Sequence, residues 1–266
     1  MVELLMAMAV MVIIGGVVAG LASAVQTSNE YAQGVAAATQ HGRVALERIA
    51  QTVRTATASE DFPGCAVVDV TIDGYHAADT LVVWHPAVAP ANPAGPPLAC
   101  ELVIYGPDPT DPRTLAEITP ASGDTRSMPL PTADYAGWVA FIDGLMRSAS
   151  STKTTLTDLL RAASVASGSS GPPPAGPETR LRGAAHFECR VAPSAADWAS
   201  YRSGTLAWGS LAWPQGLYGS QAGVRQIHVD VELQLMPRAT PAGQASAGDL
   251  AVAILGSATL NYGLSK

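Results

Sequence analysis

The chain has 266 residues, 48% of them apolar and only 14% charged, which is poor in charge for a soluble cytoplasmic protein and enough for one domain with appendages. A net charge of −7, with 15 Lys and Arg that form no cluster, excludes a phosphate-binding face and with it nucleic acid as a partner. Cys65, Cys100 and Cys189 are too few for a disulfide scaffold; they allow one bridge in an oxidising compartment, between a pair that sequence leaves open.

The first element is MVELLMAMAVMVIIGGVVAG and its continuation. Residues 4–25 carry no charge, and as a helix they measure about 33 Å, the thickness of bilayer hydrocarbon. A buried core helix is one competing reading, disfavoured by the length and hydrophobicity of the run at the N-terminus; the other is a cleaved secretory signal, on the small-x-small pattern Ala22-Ser23-Ala24. Against it, no Lys or Arg precedes the run and Glu3 has the wrong sign. Gly15, Gly16 and Gly20, set among β-branched residues, let neighbouring helices approach closely. From residue 28 to about 57 the pattern turns amphipathic. Val35, Ala38, Gly42, Leu46, Ile49 and Val53 recur at helical spacing, while Glu30, Gln40, Arg43, Glu47, Gln51 and Arg54 face elsewhere. No proline interrupts the chain before Pro63, so one helix of about 80 Å is expected from near Val2 to about Ala58.

Past Gly64 the period changes to that of strands. Strands are expected over residues 65–72, 81–84 and 101–105, with an edge strand over 114–119. Residues 87–97, rich in proline, read as a loop, and 135–149 and 152–166 as short helices. Residues 167–177 (SGSSGPPPAGP) read as a linker. Residues 195–221 hold Trp198, Trp208, Trp213, Tyr201 and Tyr218 among small residues, either as a packed excursion or as an exposed contact loop. The clearest strand is 226–235: Ile227, Val229, Val231, Leu233 and Leu235 alternate with His228, Asp230, Glu232 and Gln234. Two short runs, 250–255 and 258–262, close the sheet. The expected class is α+β: a long N-terminal helix, transmembrane and then amphipathic, packed on an antiparallel β-sheet domain with inserted loops and short helices. The division is residues 1–58 for the helix and 59–266 for the β-rich domain, with an inserted region at about 135–221.

Catalytic patterns fail. There is no Gly-rich phosphate loop followed by Lys-Ser/Thr, no G-x-S-x-G elbow and no H-E-x-x-H. His186 and Cys189 are three apart but read as strand residues rather than metal ligands. Asp108 and Asp111 in PDPTDP read as a solvated turn rather than a calcium loop. No base accompanies any of the three thiols, so no nucleophile is assigned. The expectation is a noncatalytic protein with no metal and no cofactor.

The segment VELLMAMAVMVIIGGVVAG resembles the N-terminus of type IV pilins and of the pseudopilins of type II secretion. After prepilin peptidase cleavage those proteins begin Phe-Thr-Leu-Val-Glu-Leu. Val2, Glu3, Leu4 and Leu5 match that core, and Met1 stands where the family has leucine. The resemblance implies that the basic leader, the glycine before the cleavage site and the methylated phenylalanine lie upstream of Met1. HGRVALERIAQTVRTAT, beginning at His41, is similar to the amphipathic half of J-type minor pseudopilins and PilW-like minor pilins, where it precedes a β-rich periplasmic domain. The likeness covers the helix; the rest of the chain adds a compatible strand pattern.

The resemblance implies a minor pseudopilin or minor pilin. Its location would be the inner membrane, single-pass, with the C-terminal domain in the periplasm or at a filament tip. Partners would be other minor pseudopilins or pilins, a major pilin-like subunit, the inner-membrane assembly platform and the lipid bilayer. Glu3, in this family, neutralises the N-terminal amine of an adjacent subunit and sets the axial register. The alternative is a secreted or membrane-anchored periplasmic binding domain unrelated to pili.

Overall fold

The chain begins with a 53-residue helix, α1 (Val2–Arg54), in a computed structural model that describes residues 2–72, 75–164, 181–214, 219–237 and 251–266. It ends before the expected Ala58, because the Thr57 N–H donates to the Trp84 carbonyl at 2.8 Å and draws the backbone into the neighbouring sheet. Gly64 then turns the chain with φ +94°, a left-handed conformation that strains any residue with a Cβ.

The first sheet is antiparallel, in the order β1 (Cys65–Ile72), β2 (Tyr75–Trp84), β3 (Leu102–Asp108), β4 (Asp111–Thr119), β5 (Thr152–Thr157). Its middle, residues 81–84 of β2 and 102–107 of β3, is buried on both faces, which is why these segments read as apolar runs rather than alternating ones. Val82, Trp84, Leu102, Ile104, Ala116 and Ile118 share a core with α2 (Tyr135–Arg147), which offers Trp138, Ile142 and Leu145 at helical spacing. The Asp134 carboxylate caps that helix by accepting from the Gly137 N–H at 2.9 Å. Leu81, Val83, Val103, Tyr105 and Leu115 point the other way, into a core shared with α1 and the second sheet.

That second sheet runs in the order β10 (Val252–Ser265), β9 (Ala222–Leu235), β8 (Ala185–Ala192), also antiparallel. The expected alternation in β9 holds: Ile227, Val229, Val231, Leu233 and Leu235 are buried, and His228, Asp230, Glu232 and Gln234 lie on the wetter face. A short ribbon, β6 (Ala162–Ser164) with β7 (Leu181–Gly183), completes the β-structure among the described residues. The coarse architecture is therefore α+β, a long apolar helix packed against antiparallel sheets with short helices.

Several expectations are corrected. Residues 152–157 are a strand, not a helix: Thr152, Thr154, Thr155 and Thr157 are β-branched and ladder onto β4, with Thr119 opposite Thr152. That pairing makes β4 an interior strand rather than an edge. The two closing runs are one strand, β10, in which Gly256 and Ser257 stay in register opposite Val231 and Asp230. The stretch 135–221 supplies β5 to one sheet and β8 to the other. The linker at 167–177, Tyr218 and Leu250 lie outside the described residues.

The aromatic stretch is packed. Trp198, on α3 (Ala195–Arg202), meets Tyr201 and Trp208 at centroid distances of 5.3 and 6.2 Å, and Trp208 meets Trp213 at 4.7 Å. The three indoles are buried. Arg225, on the inward face of β9 and only 2% exposed, lies over the Trp198 ring at 5.5 Å. The Trp213 ring covers Gly223, where a Cβ would sit 2.3 Å from it.

Candidate assembly helix and its docking seam

The two halves of α1 have different surroundings. From Val2 to Gln33 every side chain is exposed, and the most apolar stretch has no part buried against the domain. Val2, Leu4 and Leu5 are about two-thirds exposed, and Glu3 stands in the first turn of this bare apolar cylinder. By length and composition this is a single membrane-spanning or signal-like helix. Gly15, Gly16 and Gly20 have nothing within 4 Å of an added Cβ, so their faces are open to whatever surrounds the helix.

The second half docks through small residues. Gly34, Ala38, Gly42, Ala45, Ile49, Thr52 and Val53 are buried. Of the expected stripe, Ile49 and Val53 lie in the core, whereas Val35 and Leu46 are half-buried at its margin. Gly42 is the closest approach: a Cβ there would fall 2.8 Å from Ile254 Cγ1 and 2.9 Å from Leu235 Cδ1. The fit is reciprocal, since Leu46 of the helix lies over Gly256 of β10. An open groove of about 460 Å³ follows this crossing, lined by Val44, Leu46, Ala50 and Gly256 with Arg43, Glu47 and Arg54 beside them.

A polar clasp closes the other side of the seam. Arg48 donates from Nε and Nη2 to the two Glu117 oxygens at 2.7 and 2.8 Å, a bidentate pair from α1 to β4. The Tyr105 hydroxyl lies 2.7 Å from Thr52 Oγ1 and 3.1 Å from Glu117 Oε2. Hydrogen bonds from Arg48 hold the Glu117 carboxyl below its usual range, against the opposing effect of burial. Burial pushes the Tyr105 phenol well above its ordinary value, so it remains a donor throughout the physiological range. This cluster was missed from sequence. Its signal was the lone carboxylate at an inward position of LAEIT, matched by a hydroxyl, Thr52, on the buried stripe of the helix.

The sign of the resulting pH dependence follows from the depressed carboxyl. Its contribution is present above the unfolded glutamate value near 4.5 and is lost as pH falls through the lower folded value. Glu117→Gln is expected to cost about 1–3 kcal/mol at neutral pH and to flatten the acid limb of a chemical-denaturation stability profile. An acid limb as steep as that of the unaltered chain would refute the assignment.

The other candidate groups resolve simply. Asp108 accepts from Thr110 N–H and Oγ1 at 2.8 Å and from Lys153 Nζ at 3.1 Å, so the PDPTDP turn is internally satisfied. His228 contacts Thr259 Oγ1 and Asp230 Oδ1, each at 3.0 Å, on the outer face of β9. Among the described residues no three His, Cys, Asp or Glu side chains gather as metal ligands. Of the cysteines, the structure brings Cys65 and Cys189 together and places Cys100 apart, in a 3-10 turn (Ala99–Glu101) whose Cys100 N–H donates to the Asp124 carbonyl. Comparison with protein-family models, with curated proteins and with solved structures finds no match to this chain.

Proposed function

We propose that the chain is a noncatalytic minor pseudopilin or minor pilin. In this reading its apolar half-helix inserts into the inner membrane and then into a filament tip or assembly-initiating complex, with the β-rich domain in the periplasm. The observation that carries this reading is the division of one continuous helix. Its first half is bare, with Glu3 in the first turn and no further charge before Glu30, and its second half is fastened to a folded domain by Gly42, Ile49, Val53 and the Arg48–Glu117 clasp. A signal or a plain anchor needs no rigid continuation into the domain, whereas a subunit positioned by helix packing does.

The test is recovery of the full chain, tagged at its C-terminus, from cross-linked membranes of its source. Co-recovery of a major pilin-like subunit and other minor subunits, each carrying the same N-terminal glutamate, is the expected result. Recovery of the chain without any such subunit would favour a membrane-anchored binding domain instead.

A further inference from the structure

We propose that Cys65 and Cys189 form a disulfide that braces the first sheet against the second. Cys65 is the first residue of β1, opposite Val83, and Cys189 lies within β8, opposite Val229, so the two belong to different sheets. Cys189 Sγ stands 3.7 Å from the Cys65 carbonyl oxygen. Both side chains belong to the apolar core that also holds Val83, Ile227 and Val229. One sulfur already lies against the other residue's backbone, which places the two cysteines side by side where the sheets meet. Cys100 is outside this core; its neighbour Ala99 packs on the opposite face of the first sheet, with Trp84 and Trp138.

The seam is where a cross-link has the most to do. Among the described residues no ladder joins β1 to β8; a backbone link between the two sheets runs instead through Leu160, whose N–H donates to the Arg113 carbonyl of β4 and which bridges to Leu235 of β9. The cysteines are 124 positions apart in the chain, and closing so long a loop removes much conformational freedom from the unfolded ensemble. Burial also sets the order of events. It pushes the Cys189 thiol up to about 12, and the Cys65 thiol well above its ordinary value. In the finished core both are neutral and unreactive, so oxidation belongs to folding, before the seam closes.

The chemistry is two successive exchanges with a disulfide oxidant. One cysteine thiolate attacks the oxidant, forms a mixed disulfide and expels the first thiolate. The second cysteine thiolate attacks the protein sulfur of that mixed disulfide and expels the second. The two cysteines together give up two protons and two electrons, and the oxidant leaves as two thiols.

The test uses the reduced full chain, unfolded and refolded into detergent micelles with oxidised glutathione, so the side of the membrane occupied in the cell does not enter. Free thiols are alkylated under denaturing conditions, and the chain is cut before aspartates. Asp69, Asp73 and Asp79 then separate Cys65 from Cys100. One alkylated thiol, at Cys100, is expected, with the Cys65 and Cys189 peptides joined until reduced. Cys100→Ser should leave no free thiol, and reduction should lower the Tm by roughly 10 °C. Three free thiols, glutathione adducts in place of the link, or a bridge through Cys100 would each overturn the proposal. Because the peptide map reads the unaltered chain, the result does not depend on whether a Cys65 or Cys189 variant folds.

Discussion

Glu3→Ala is expected to reduce recovery of partner subunits with the full chain by roughly 70- to 400-fold, while the Tm of the domain stays unchanged. The magnitude follows from the cost of a carboxylate at membrane depth, about 2.5–3.5 kcal/mol, which a neighbouring subunit's amine would offset on assembly. The independence of the domain follows from the structure: Glu3 lies in an exposed turn, and the side chains from Val2 to Gln33 are all exposed. Glu3→Gln should behave like the alanine variant, because it keeps the shape and loses the charge. Quantitative cross-linked recovery is the measurement, and full recovery with Glu3→Ala would remove the assembly role from this residue.

Gly42→Leu should be the most damaging single change at the docking seam. A glycine within a helix ordinarily costs about 0.5–1 kcal/mol relative to alanine, so replacement at an open site is neutral or helpful. At position 42 the balance reverses, since even a Cβ would stand 2.8 Å from Ile254 and 2.9 Å from Leu235, both held in the sheet. Overpacking of this kind costs about 1–3 kcal/mol, and a leucine side chain belongs at the upper end. A fall in Tm of roughly 6–12 °C is expected for a domain of this size. Gly16→Ala on the same helix is the control: nothing lies within 4 Å of its Cβ, and the Tm should not move. If Gly42→Leu melts with the unaltered chain, the helix does not seat on β10 as described.

The two variants separate two kinds of small residue. Gly15, Gly16 and Gly20 read as sites of close helix approach, and Gly42 as one more member of the amphipathic stripe. Only Gly42 meets this chain's own sheet; the others face outward, and any close packing they permit is with another molecule. The buried stripe shows the limit of spacing alone. Ala38, Gly42, Ile49 and Val53 were legible from their spacing, but Gly34, Ala45 and Thr52 were passed over in favour of Val35 and Leu46. Hydrophobicity favours the larger side chains, whereas an intimate helix–sheet contact selects the smaller ones and leaves the larger at its margin.

What the sequence determined by itself was whatever depends on neighbours a few residues away. The uncharged run at 4–25 dictates an apolar helix. The absence of proline carries that helix onward, and strict alternation in β9 assigns its two faces. Tertiary structure decided what depends on residues far along the chain. The run 152–166, with Leu156, Leu159 and Leu160 on one side, suits a helix locally, yet the unpaired edge of β4 captures Thr152–Thr157 as a strand. Gly256 and Ser257 would end a strand in isolation, but the long ladder to β9 carries β10 through them. Glu117 and Arg225 are inward-facing charges, met by Arg48 and Tyr105 in the one case and by the Pro193 carbonyl and the Trp198 ring in the other. The proximity of Cys65 and Cys189, with Cys100 apart, is of the same kind. It exists because two sheets meet at β1 and β8, and no periodicity in a single segment encodes where two sheets meet.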